Sequence, residues 1–267
     1  MEKKVLILGG NGFIGRHLKS SLGNDYEVIL FDRQTQSLEA TISESFPNIV
    51  INCSASNANA TVLESFEANI EFQMECISLL LIRSMSTIKW VQVASYFELQ
   101  IPMGRQDNYS LDKQICRSIF HRLEQDGLIE LTTIFLPHVF GDGENPNRII
   151  PSITSRLENG QICEISRGEQ FLPILGVEDC CSAIRSAILT DQLICSAEPI
   201  WYEQVKLLAS KMEEAISRGV VQINQEKMSI DNSFPKVDFP PKVNDWIPKM
   251  TFEDFLSKLV NPLAGHS

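Results

Sequence analysis

Apolar residues enter this chain in short unbroken runs, separated by stretches in which they recur at helical spacing. KVLILG, YEVILFD, NIVINCSA, IKWVQVAS and IELTTIFLP read as strands. Between them, GFIGRHLKSSL and SLDKQICRSIFHRLEQ carry the helical period. So do residues 62–86, with Phe66, Ile70, Met74, Ile77 and Leu81 at helical intervals. Strands without polar alternation, alternating with helices, predict a parallel sheet covered on both faces. The predicted fold class is α/β, a doubly wound parallel sheet.

After residue 140 the rhythm breaks. FGDGENPNRIIPS is rich in glycine, proline and asparagine and reads as a loop over one end of the sheet. WYEQVKLLASKMEEAI reads as a helix, FPKVDFPPKVNDWIP as a proline-rich connection, and FEDFLSKLV as a terminal helix. The expected organisation is a core over residues 1–144, with 171–200 returning to it. A small C-terminal lobe is expected from 145–170 and 201–267.

Composition narrows the classes of partner. At 267 residues and 43% hydrophobic, the chain can bury one good-sized α/β core. Its net charge of −11 argues against nucleic acid or an anionic membrane as partner. The longest apolar stretch, near ISLLLI, is too short to span a bilayer, and MEKK runs directly into a strand, so neither anchor nor leader is expected. Seven cysteines form no C-x-x-C pair, and histidines 17, 121, 138 and 266 lack metal-ligand spacing. Reduced thiols, no metal and a cytoplasmic location follow as expectations.

Two clusters carry candidate chemistry. The first is LGGNGFIG between the first strand and the first helix. It parses as Gly9-x-x-Gly12-x-x-Gly15 or as Gly10-x-Gly12-x-x-Gly15. Either way it suits a turn whose backbone approaches a pyrophosphate ahead of a helix N-terminus. Asp32, 23 positions after Gly9 at the end of the second strand, stands where a carboxylate can accept from an adenosine ribose. The second cluster is Ser95 at the end of IKWVQVAS, then Tyr109 and Lys113 one helical turn apart. An ammonium beside a phenol favours phenolate and suits the tyrosine to proton transfer at a carbonyl or alcohol oxygen. Tyr202 and Lys206 share that spacing without the glycine turn or strand-end serine before them, so spacing alone is not the signal.

Taken in order, these residues resemble the extended short-chain dehydrogenase/reductase family, the branch of nucleotide-sugar epimerases, dehydratases and 4-keto reductases. GGNGFIG, PNIVINCSAS, Asn69 in EANIEFQ, LPHVFGDGENPNRIIPSI, GVEDCCSAI and DWIPKMTFEDFLSKLV each match a family segment. The resemblance implies a Rossmann sheet with a small C-terminal substrate-binding lobe, binding NAD(H) or NADP(H). The cofactor would lie along Gly9, Gly12, Phe13, Ile14, Gly15, Asp32, Arg33, Cys53, Ser54, Ala55, Asn69, Lys113 and Pro137. Tyr109 would be the general acid, Lys113 would hold the nicotinamide ribose and tune it, and Ser95 would position the substrate oxygen. Tyr96, His138 and Arg148 would contact a nucleotide-linked sugar, with Arg167 a further candidate for its phosphates. A homodimer is implied through the helices near 62–86 and 109–125.

The chain also departs from the pattern. His138 replaces an asparagine, Gln170 and Phe171 stand where the family has Arg-Asp, and the 95–109 connection is short. Ala94-Ser95-Tyr96-Phe97-Glu98 lacks the Thr-Asp-Glu of the dehydratases. The leading expectation is therefore a 4-keto reductase of a nucleotide-linked, 6-deoxy hexose, with NAD(H) favoured by Asp32. A nucleotide-sugar 4-epimerase with tightly held NAD and a non-catalytic NAD(P)-binding regulator are the competing readings. The intact Ser95, Tyr109 and Lys113 argue against the last.

Overall fold

The run KVLIL forms strand β1, Lys4–Leu8, whose last four side chains are all buried. In the computed structural model, which describes residues 3–56, 60–83, 87–224 and 234–260, it lies inside a six-stranded sheet. It is followed by α1 (Phe13–Leu22), β2 (Glu27–Phe31), α2 (Leu38–Ser45) and β3 (Ile49–Asn52). Next come α3 (Val62–Phe66), a π turn (Glu67–Glu71), α4 (Phe72–Arg83) and β4 (Ile88–Ser95). A 3₁₀ helix (Tyr96–Met103), α5 (Asn108–Gln125) and β5 (Ile129–Leu136) complete the region of regular alternation. The remainder is β6 (His138–Phe140), α6 (Ile149–Glu158), β7 (Ile162–Ile165), β8 (Phe171–Gly176) and α7 (Val177–Leu189). After these come β9 (Ile194–Ser196), β10 (Trp201–Gln204), α8 (Val205–Ile216), β11 (Val220–Ile223) and α9 (Phe252–Val260).

The chain divides into two compact units. The first takes Met1–Leu136, Cys180–Ala197 and Asp238–Ile247; the second takes Pro137–Asp179, Glu198–Val237 and Pro248–Ser267. The first unit holds the sheet in the order β2-β1-β3-β4-β5-β9, every pair parallel. This is the doubly wound Rossmann-like α/β fold. The chain leaves β1 for β2 on one side and returns to β3 on the other, so β1 pairs with both (Val5 opposite Val28 and Ile49). Beyond the carboxyl ends of β1 and β3 the strand order reverses, and open sheets of this kind bind ligands there.

Burial explains the unbroken apolar strands: β3 is buried throughout and β4 is buried up to Ser95. Trp90 of β4 stacks on Phe120 of α5 at 4.4 Å, both fully buried. Truncating either to alanine removes an aromatic from a packed interior, at a typical cost of about 3–5 kcal/mol. Along the outer strand β9 runs the proline-rich strap: Ser196 N–H donates to Pro241 O (2.9 Å), Ser196 Oγ to Pro240 O (2.7 Å) and Val243 N–H to Ser196 O (3.0 Å). The strap thereby covers the outer edge of β9.

The second unit contains a three-stranded sheet, β10-β8-β6, and a parallel pair, β11 and β7. Here the structure departs from expectation. WYEQVKLLASKMEEAI is not one helix: Trp201–Gln204 is strand β10, antiparallel to β8, and the helix starts only at Val205. A long-range partner outweighs the local helical period. The predicted loop over FGDGENPNRIIPS gives way to α6 at Ile149. The helix predicted from residue 62 is interrupted by the π turn at Glu67–Glu71, and its last expected residues, 84–86, lie outside the described residues. One extra residue in the turn rotates the apolar stripe, which leaves Phe66 exposed while Ile70 and Ile77 are buried.

Candidate active site

The glycine turn connects β1 to α1 and needs more than one parse. Gly9 adopts φ +76°, and a Cβ there would meet Ser54 N at 2.9 Å. Gly15 is closed off by the Gly9 carbonyl oxygen and by Gly10 Cα, so no side chain fits there. Gly10 backs onto Leu30, while Gly12 is the N-cap of α1 and donates its N–H to Gly9 O at 2.9 Å. No side chain caps α1, so the amides around Phe13 and Ile14 and the positive end of the helix dipole are available to an anion. A dinucleotide pyrophosphate fits this cradle, because bare backbone and an uncapped helix start are what such a group requires.

Asp32 closes the turn after β2. Its Oδ1 accepts Gln34 N–H at 2.9 Å, and its backbone oxygen accepts Thr35 and Gln36 N–H. Its Oδ2 accepts Asn11 Nδ2 at 2.9 Å, which ties the carboxylate to the glycine turn. Two lone pairs of the carboxylate are thus used in holding the turn, and two remain. Arg33 next to it lies over the Phe72 ring (5.6 Å) and 4.0 Å from Glu67.

Beyond β3, Cys53, Ser54 and Ala55 form a shelf opposite Gly9. Cys53 N–H continues the ladder to Leu8 O (3.0 Å), and burial pushes its thiol up to about 12 against the pull of the Lys113 ammonium. Asn52 Oδ1 accepts both Ser54 N–H and Ser54 Oγ, at 3.1 and 2.6 Å. Asn69, fully buried in the π turn, accepts Ser56 N–H (3.2 Å) and donates to Ser56 and Ser65 Oγ. These bonds tie Ser56, the residue that follows the shelf, to Ser65 of α3.

At the end of β4, Ser95 caps the 3₁₀ helix: its Oγ accepts Phe97 N–H (3.2 Å) and its own N–H donates to Glu98 Oε1 (2.9 Å). The serine O–H stays available to donate. Tyr96 is buried, its ring tilted 42° to that of Phe97 with centroids 4.2 Å apart. Tyr109 lies in the first turn of α5, and among the described residues its hydroxyl has no hydrogen-bond partner. The Lys113 ammonium is buried, donates to Val93 O at 2.8 Å and lies 5.6 Å from the Tyr109 ring centroid. Tyr202 and Lys206 do not share a helix: Tyr202 is in β10, its hydroxyl accepting Val237 N–H at 2.8 Å, and Lys206 is in α8.

The second unit gathers His138 and Arg148 around Glu144, which the sequence reading had not selected. Arg148 NH2 meets His138 Nδ1 at 3.1 Å, its Nε lies 3.3 Å from Glu144 Oε1, and its NH1 donates to Val139 O. His138 Nε2 is 3.3 Å from Glu144 Oε1 but off the line of a good hydrogen bond. Burial holds the His138 imidazole below the ordinary histidine range, with Arg148 pushing the same way and Glu144 opposing. Pro137 opens this unit just before β6. Arg167 lies between β7 and β8, outside this cluster. No group of three or more His, Cys, Asp or Glu among the described residues could hold a metal, and no described helix is long and apolar enough to cross a membrane.

Several further residues support the candidate positions: Glu98 and Arg117 beside Ser95, Arg105 against Phe97, and Asn11 against Asp32. Glu98 completes a capping box with Ser95, a pattern legible as S-x-x-E. Arg117, Arg105 and Asn11 left no such mark, because their partners are distant in sequence or set by loop geometry.

The chain is similar to known proteins in sequence and in fold. The CDP-abequose synthase of Yersinia pseudotuberculosis is 23% identical over 213 residues, covering 70% of this chain and 74% of that one. The UDP-glucose 4-epimerase of Thermus thermophilus in complex with NAD superposes with a TM-score of 0.75 at 16% identity, covering 99% of this chain and 100% of that one. A GDP-6-OMe-4-keto-L-xylo-heptose reductase from C. jejuni gives a TM-score of 0.75 at 12% identity, covering 97% and 96% of the two chains. Residues 5–194, from β1 to the start of β9, match the NAD dependent epimerase/dehydratase family, and the chain belongs to that family of nicotinamide-dependent enzymes.

Proposed function

We propose that this enzyme reduces the 4-keto group of a nucleotide-linked hexose, a 6-deoxy sugar, using NADH or NADPH. The observation that carries the reading is the buried Lys113 ammonium, bonded to Val93 O of β4 and 5.6 Å from the Tyr109 ring, with no partner for the Tyr109 hydroxyl among the described residues. The reduced nicotinamide, when bound, supplies a hydride to C4. The proton comes from the chain: Tyr109 gives its hydroxyl proton to the C4 oxygen as the C=O π bond breaks and the C–H and O–H bonds form. The resulting phenolate is stabilised by the Lys113 ammonium and is reprotonated from solvent. Ser95 donates to the same oxygen and fixes it in line with Tyr109. His138 and Arg148 are proposed to face the nucleotide-linked part of the substrate.

Dehydration is disfavoured by the state of Glu98. It is 3% exposed, bonded to Ser95 N–H and paired with Arg117 Nε at 3.1 Å, so it is not free to abstract a substrate proton. The likeness to the heptose reductase and the CDP-abequose synthase supports reduction, and the likeness to the 4-epimerase supports the alternative. Cofactor stoichiometry separates the two. Given a nucleotide-linked 4-keto-6-deoxyhexose and excess NADH, the purified protein should consume about one reduced cofactor per sugar. Interconversion of two 4-hydroxy nucleotide sugars with no net loss of reduced nicotinamide would replace this reading with 4-epimerisation.

A further inference from the structure

Arg105 lies in the short connection between the 3₁₀ helix and α5, yet it is only 9% exposed. Its Nε donates to Ser110 Oγ at 3.1 Å, its NH1 to Gln100 Oε1 at 3.0 Å, and it is ion-paired with Asp107. Its guanidinium lies 3.8 Å from the centroid of the Phe97 ring. The Phe97 ring in turn meets the Tyr109 ring at 84°, with centroids 6.5 Å apart. The backbone N–H of Phe97 is the one that Ser95 Oγ accepts. Phe97 is thus joined to two of the three proposed catalytic residues, through its ring to Tyr109 and through its amide to Ser95.

A buried cation is an expensive way to fill this space. Taking a guanidinium out of water costs several kcal/mol per ion, which its pairing only partly returns. Arg105 also stands at the N-terminal side of α5, where the helix dipole disfavours positive charge, and Asp107, the N-cap, must offset it. A planar cation does what an apolar residue there could not. It stacks on an aromatic face while its fixed fork of donors holds Gln100 and Ser110 on either side of the connection. Ser110 follows Tyr109 in the chain, and Asp107 caps the helix that presents both Tyr109 and Lys113.

We infer that Arg105 and Phe97 are positioning residues for the Tyr109 proton donor: the guanidinium clamps the Phe97 ring, and that ring fixes the orientation of the phenol relative to Ser95. The inference rests on the reductase reading for its kinetic consequence, but the clamp itself can be read without turnover.

The test uses full-length protein labelled with 3-fluorotyrosine, in which the chain's 4 tyrosines give separate ¹⁹F resonances and Tyr109→Phe identifies one of them. Arg105→Ala and Phe97→Leu should each shift or broaden the Tyr109 resonance and leave those of Tyr26 and Tyr202 in place. Both should lower kcat by roughly tenfold to a hundredfold, the cost of a misplaced reacting group, with KM for NADH within about twofold of wild type. Arg105→Lys, which keeps charge but not the planar fork, should fall between and serves if Arg105→Ala does not fold. In a Tyr109→Phe background, Arg105→Ala should cause no further loss of kcat. An unmoved Tyr109 resonance in folded Arg105→Ala or Arg105→Lys protein, or an undiminished Arg105→Ala loss without Tyr109, overturns the clamp. If Tyr109→Phe itself keeps full turnover, the functional reading fails instead, and the ¹⁹F spectrum still decides the clamp.

Discussion

The residue scale holds the sharpest contrast in this protein, between two tyrosine–lysine pairs of identical spacing. Tyr109 and Lys113 share α5, whereas Tyr202 and Lys206 are split between a strand and a helix. Tyr109→Phe is expected to lower kcat by roughly 10²–10⁴-fold, the loss typical of a missing general acid, with cofactor binding retained. Tyr202→Phe removes an acceptor for Val237 N–H in β10 and should leave turnover near wild type. Equal behaviour of the two variants in steady-state kinetics would cancel the assignment. Asp32 predicts preference for NADH, since its carboxylate suits a ribose diol and repels a 2′-phosphate. Titration of both cofactors checks this, and tight NADPH binding beside undetectable NADH binding contradicts it. His138 makes a different prediction, about pH. Its folded pKa is depressed by burial, so the unfolded chain binds the proton more readily. Stability should therefore be full above the ordinary histidine pKa of about 6.5 and fall as pH drops through and below it. Urea melts at about pH 7 and about pH 5, either side of that value, should show a smaller loss in His138→Asn than in the parent. An identical loss removes His138 as the source.

Elements in this chain are placed by partners as much as by their own period. The π turn at Glu67–Glu71 is an example: it breaks a good helical pattern and brings Asn69 to Ser56, the residue that follows the Cys53–Ala55 shelf. Asn69→Ala leaves the Ser56 amide and two serine hydroxyls short of a partner, a penalty of about 1–3 kcal/mol for each group left buried and unsatisfied. If the shelf flanks the cofactor, as proposed, the variant should weaken NADH binding severalfold by calorimetry and lower the Tm, while Ser95, Tyr109 and Lys113 remain in place. Unchanged affinity in a destabilised variant would confine Asn69 to folding. The 3₁₀ helix after β4 illustrates the same point. Ser95 and Glu98 cap it reciprocally, so the residue proposed to hold substrate also anchors the element that carries Phe97.

For the molecule as a whole, surface apolarity is the informative feature. Val62 and Leu63 of α3, Ile82 of α4 and Ile115 of α5 are between 49% and 82% exposed. Together with the family resemblance, this leads us to expect two copies associating through these helices, whose exposed apolar side chains a partner copy would cover. Light scattering should give about twice the 30.1 kDa chain mass, and Leu63→Glu with Ile82→Glu should reduce it to one chain. A wild-type protein that stays at one chain mass at micromolar concentration removes the expectation.

Local pattern was enough for the first five parallel strands, though not for the π turn at Glu67–Glu71 or the 3₁₀ helix after β4. Continuous apolar strands, helices between them and a glycine turn in front specify a doubly wound sheet, because each strand must be buried on both faces and each helix on one. The same stretch made Asp32, Ser95, Tyr109 and Lys113 legible as candidates, since a strand end and one helical turn suffice to place them. The second unit was less readable: β8 and β10 exist through their pairing, and Glu144 comes between His138 and Arg148 only once a loop and two elements have folded. Arg105 is the extreme case. Nothing in MGRQDN distinguishes it from a solvated loop arginine, and only packing placed its guanidinium over Phe97, because a contact between side chains eight positions apart depends on a turn geometry that no sequence period encodes.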